Sequence, residues 1–129
     1  MSLTIVTSYF GKLQQLQADG YVCIAIARYV PAYFNELHFP ALSPSKALLF
    51  QIRHKYIDEA GYTDEFNKQL AELNPAEVEK ALHIIAERRN NTKIALICYE
   101  RPNQFCHRHI VANWLMQNTN LTNITEYGQ

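Results

Sequence analysis

Residues 93–115, KIALICYERPNQFCHRHIVANWL, constrain the fold more tightly than any other stretch of the chain. Ile94 to Tyr99 is an unbroken apolar run. Such a run suits a strand buried on both faces, and strands of that kind belong to parallel sheets covered by helices on two sides. Glu100 to Gln104 is polar and contains Pro102, which ends the strand and forbids an immediate helix. From Cys106 the apolar spacing changes to Ile110, Val111, Trp114 and Leu115, which is helical. The stretch reads strand, tight loop, helix, with Cys98, Glu100, Cys106, His107 and Arg108 gathered at the turn. In open α/β sheets ligands bind at the carboxyl ends of strands, where such turns lie.

The rest of the chain supplies the partners that such a strand needs. Leu3 to Thr7 and Tyr21 to Ala27 are two further apolar runs, the first rich in β-branched residues. Between them Phe10, Leu13 and Leu16 follow helical spacing until Asp19-Gly20, which gives a short crossover. An aromatic-rich loop follows the second strand. Three helices are then expected: one capped at Ser43-Pro44 and running to about His54, one capped by Thr63, and one opening at Asn74-Pro75 with Glu77 in a capping box. Leu121 to Tyr127 alternates as an edge strand would. The pattern predicts a single α/β domain over residues 1–129, a three-layer sandwich in which a mainly parallel sheet of three or four strands is flanked by helices.

Composition narrows the functional classes. Apolar residues make up 48% of the chain and charged residues 19%, values of a globular protein. Twelve basic and twelve acidic side chains cancel, which argues against non-specific nucleic-acid binding. No apolar run is long enough for a membrane span and no export signal follows Met1, so the expectation is a cytoplasmic protein that does not enter membranes. Three cysteines, an odd count, suit reduced thiols better than a disulfide framework.

The turn carries the chemistry. Projected on a helix, His107 falls near the centre of the Ile110, Val111, Trp114 and Leu115 stripe, so it is expected to be buried and bonded to a backbone or neighbouring group. His109 falls on the far side, facing water. If Asn103 caps the helix, Cys106 lies in its first turn, where free N–H groups and the dipole stabilise a thiolate and Arg108 adds positive charge. The competing reading makes Cys106 a small buried residue, with Arg108 paired to Glu100 as a structural lock. Cys98 and Cys106 could form a redox pair, though their spacing is not C-x-x-C. Cys98, Glu100, Cys106 and His107 raise a metal site, but the spacing is not that of a zinc knuckle and His107 aims inward, so no metal is expected. Parallel strands would bring Ser8, Tyr9 and Arg28 to the same crevice, where hydroxyls and guanidinium groups suit a small anionic substrate.

The stretch ICYERPNQFCHRHIVANWL resembles the C-x-E…P…C-H-R signature of the domain-of-unknown-function 488 family. The likeness extends to VTSYF, IAIARYVPAYF and LSPSKALL. Matched residue by residue, Cys98, Glu100, Cys106, His107 and Arg108 carry that signature; the resemblance implies no reaction and no cofactor. The residues themselves suggest an enzyme working through Cys106, or the Cys98/Cys106 pair, with Glu100 as general acid or base and Arg108, Arg28, Ser8, Tyr9 and His107 binding a small anionic ligand. The alternative is a non-catalytic module binding a nucleotide or another anion in the same crevice.

Overall fold

The computed structural model describes residues 2–99 and 105–128. Strands β1 (Thr4–Tyr9), β2 (Val22–Ala25), β3 (Leu37–His38), β4 (Lys93–Cys98) and β5 (Thr125–Glu126) form one sheet in the order β3-β2-β4-β1-β5. Every pairing is parallel. Helices α1 (Leu13–Ala18), α2 (Lys46–Arg53), α3 (Glu59–Ala71), α4 (Pro75–Arg88) and α5 (His107–Asn118) cover it. This is the three-layer α/β sandwich expected from the apolar runs. It has five strands where three or four were expected: the edge strand expected within 121–127 is present as the two-residue β5, and the addition is β3, an edge pairing of two residues, too short to leave an apolar run.

Period-two alternation divides the two cores. Val22, Ile24 and Ile26 of the β2 segment and Ile94 and Leu96 of β4 face α3, α4 and α5, packing on Phe66, Leu70, Leu82, Val111 and Leu115. The alternate residues Cys23, Ala25, Ala95 and Ile97 face Phe10, Leu16 and Phe34 on the thinner side that carries α1. Small side chains there match a layer made of one short helix. The turn out of α1 closes at Gly20, whose φ of +84° lets Tyr21 N–H reach Leu16 O at 3.0 Å.

Two helix starts differ from expectation. Ser45, not Ser43, caps α2, accepting Leu48 N–H at 3.1 Å. Ser43 instead donates to Pro40 O, and the Pro44 carbonyl accepts Arg28 Nε–H at 2.9 Å, which holds both residues outside the helix. Asp58, not Thr63, caps α3 by accepting Gly61 N–H at 2.7 Å; Thr63 lies inside the helix and donates back to Glu59 O. Asn74 caps α4 as expected.

Candidate functional site

Strands β2 and β4 are neighbours, so their carboxyl ends open side by side. A cavity of about 210 Å³ lies there. Cys98, the last residue of β4, and Cys106 and His107, at the start of α5, contribute to its lining. Arg28 and Arg53 add two guanidinium groups, and Tyr29, Tyr62, Tyr99 and Phe105 supply aromatic surface.

The cysteine cluster is assembled by the meeting of a strand end with a helix start. Cys106, not Asn103, is the N-cap of α5, so it precedes the first turn instead of lying in it, and the helix begins at His107. Cys98 Sγ and Cys106 Sγ are joined in a disulfide, with Cα atoms 7.6 Å apart. The expectation of three reduced thiols is therefore corrected for these two; Cys23 alone is free among the described residues, and it is buried in β2. The separation of eight residues in sequence is no obstacle, because the meeting of the end of β4 with the start of α5 apposes the sulfurs.

His107 is 6% exposed, its ring edge-on to Phe66. Its Nε2 meets Ile26 O at 2.5 Å, and its Nδ1 faces Cys106 Sγ at 3.9 Å. A carbonyl can only accept, so Nε2 carries the hydrogen and Nδ1 presents a lone pair to the sulfur. Burial pushes the imidazole down to about 4, outweighing the Ile26 carbonyl, which favours the cation; Arg108 lowers it further. The ring is neutral at pH 7.

Arg108 is fully buried. Its Nε and Nη2 donate to the two Glu126 carboxylate oxygens at 3.0 and 3.1 Å, and its Nη1 donates to Cys98 Sγ at 3.0 Å. Thr7 Oγ1–H donates to Glu126 Oε1 at 2.7 Å, extending the network across β1. The guanidinium is not among the residues that line the cavity; its Nη1–H reaches the sulfur of Cys98, which does line it. Glu126 and Thr7 were missed in the sequence. Their signal was weak: a threonine inside the first apolar run and a glutamate in the alternating segment at 121–127.

Of the other expected residues, Arg28 lines the cavity, while Ser8 and Tyr9 do not. Ser8 is buried, and its hydroxyl has no hydrogen-bond partner among the described residues. Tyr9 ends β1 opposite Cys98 in the ladder, one strand away from the cavity. His109 is half-buried, not facing open water, and burial and then Arg108 hold its imidazole below the usual range. Glu100 and Asn103 lie outside the described residues. Three of the four candidate ligands do come together despite the spacing and the inward aim of His107: Cys98, Cys106 and His107 place their ligand atoms within 4.8 Å of one another. An inward-facing His107 points at the sheet's carboxyl edge, which is where the cluster lies.

The family model described as the active DUF488-N3 subclade matches residues 9–119, a span containing β1's end through α5. The chain belongs to the DUF488 family. The matched span takes in Cys98, Cys106, His107 and Arg108 of this DUF488 chain, and stops short of Glu126. No curated protein and no solved structure matches it. No helix among the described residues is long and apolar enough to cross a membrane.

Proposed function

We infer that this DUF488 protein is a small cytoplasmic enzyme whose chemistry runs at the Cys98/Cys106 pair on a small anionic substrate. The observation that carries the reading is the apposition of two sulfurs in a cavity that also holds two guanidinium groups. Arg108 Nη1–H at Cys98 Sγ favours a thiolate there once the pair is reduced, since a cationic donor stabilises the charged form. Arg28 and Arg53 suit a phosphate or carboxylate, and the aromatic walls suit a flat organic body. Glu100 is the carboxylate that this reading assigns to proton transfer. Disulfides of cytoplasmic proteins are chiefly catalytic or redox-sensing, which agrees with a pair at a cavity rather than in a framework.

The test is alkylation of reduced protein, mapped to each cysteine. Cys98 and Cys106 are expected to label well before Cys23, whose thiol burial and the Glu36 charge push up to about 12. Inorganic phosphate, a nucleoside monophosphate or benzoate is expected to slow that labelling, and Arg28→Ala to abolish the protection. Labelling no faster than at Cys23 sinks the enzyme reading. One observation favours the binding module as a second reading: Cys98 is 0% and Cys106 4% exposed, so access runs through the cavity alone. Thermal stabilisation by one of those anions, undiminished in Cys106→Ala, together with inert thiols, would establish it.

A further inference from the structure

We propose that the reduced chain binds one zinc ion through Cys98 Sγ, Cys106 Sγ and His107 Nδ1, with the fourth position open to the cavity. The inference rests on where three side chains sit and not on which reaction the pair performs.

Four observations converge on it. The three ligand atoms lie within 4.8 Å of one another, and all three residues are buried. A tetrahedral ion with zinc–sulfur bonds of about 2.3 Å needs its two sulfurs roughly 3.8 Å apart. Cα atoms 7.6 Å apart exceed the separation of about 4.4–6.8 Å usual for disulfides, and leave room for an ion between opened thiolates. The tautomer of His107 is the one that a metal ligand requires. Its Nε2–H is spent on Ile26 O, which turns the Nδ1 lone pair toward the sulfurs, the outer hydrogen bond that ligating histidines ordinarily make. Arg108 Nη1–H on Cys98 Sγ is a second outer contact of the same sort, orienting a thiolate ligand and moderating its charge.

Charge and softness select the ion. Two thiolates and a neutral imidazole cancel a divalent charge, and beside them Arg108 and Glu126 form a bidentate pair of opposite sign. Two sulfurs and one nitrogen favour zinc over magnesium, calcium or manganese. Three protein ligands and an open fourth position are the pattern of a catalytic zinc, whereas structural sites close with four. The open position faces the cavity that holds Arg28 and Arg53, so an anionic ligand there would complete the shell. On binding, two S–Zn bonds and one N–Zn bond form, and the two thiol protons pass to solvent. No electrons move. The disulfide form has no thiolate to offer, so only the reduced chain binds.

The experiment uses the full chain reduced anaerobically with a water-soluble phosphine, which takes oxygen from water as the disulfide gains two hydrogens. After desalting, cobalt(II) is titrated in as a visible probe and then displaced by zinc. The expected result is saturation at one cobalt per chain, with thiolate-to-cobalt charge-transfer absorption, tetrahedral d–d bands, and full displacement by one zinc. Oxidised protein should bind none. Cys106→Ser and His107→Gln should lose the charge-transfer intensity or the affinity, and Cys23→Ala should keep both. A reduced, folded wild-type chain that takes up no cobalt overturns the proposal, as does octahedral cobalt without thiolate absorption. Because the wild type carries this spectrum itself, a variant that fails to fold does not decide the matter. Absent metal with fast, anion-protected alkylation overturns the zinc site alone; inert thiols with a tetrahedral thiolate spectrum overturn the thiol enzyme alone.

Discussion

Arg108 and Glu126 should behave as one unit, and a double-mutant cycle measures how far. The Arg108 side chain is 0% exposed and that of Glu126 9%, and they share two charge-assisted hydrogen bonds. Removing one partner from a buried pair costs about 3–5 kcal/mol, because the other charge keeps its desolvation and loses the two hydrogen bonds that the partner supplied. Glu126→Leu and Arg108→Met should each lose about that much. Replacing both by apolar residues removes both desolvation penalties, so the double variant should lose far less than the sum of roughly 6–10 kcal/mol. It should still lose about 1–2 kcal/mol, since Thr7 Oγ1 forfeits its acceptor and Cys98 Sγ its donor. The assay is urea unfolding at pH 7 followed by far-UV circular dichroism. With a slope of about 1.5 kcal/mol per molar, each single variant should shift the midpoint down by about 2–3 M, and the double by about 1 M. Strictly additive costs would refute the reasoning, because they would mean that neither side chain senses the other. Single costs below about 1 kcal/mol would refute it as well, by placing the pair with exposed surface bridges.

Two further outcomes follow from the site. In a chelating buffer, stability should fall with acid as His107 titrates: the unfolded chain takes a proton near 6.5, the buried ring only near 4, so the loss starts as pH drops through 6.5 and is complete below 4. It amounts to about 3 kcal/mol, and urea midpoints of His107→Gln should show a correspondingly shallower decline; equal slopes for the two proteins would exclude it. Ser8→Ala should leave stability unchanged or raise it by about 1 kcal/mol, since the variant removes a buried hydroxyl without a partner among the described residues, and a clear loss in thermal unfolding would reveal one.

Parts of this fold were legible because their signals are local. The runs around Ile5, Ile24 and Leu96 have no polar face, and only a sheet covered on both sides can take such strands; all three lie in it. Asn74-Pro75 announced α4 because a cap and a first-turn proline act within three residues. Ser43-Pro44 carries the same local signal and failed, since Arg28, sixteen residues away, claims the Pro44 carbonyl. No short-range pattern reports that competition. β3 escaped for a related reason: two residues paired at an edge need no apolar run, only a neighbour to bond to, whereas β5 lies inside the alternating segment 121–127 that was expected as an edge strand.

The site divides along the same line. That Cys98 and Cys106 flank one turn is written in the spacing, and His107's inward aim is written in the helix projection. What the spacing hides is direction. Inward from α5 means toward the ends of β2 and β4, so burial of His107 is what brings it to Cys106 instead of removing it. Arg108, next in sequence, turns the other way, toward the edge strand and Glu126. The cluster is therefore held between two sides with different chemistry. Behind it a guanidinium, fixed by a carboxylate from the far edge of the sheet, donates to Cys98; in front of it lies a cavity with two more guanidinium groups. The two sides thus leave Cys98 in contact with a buried cation and with the cavity at once.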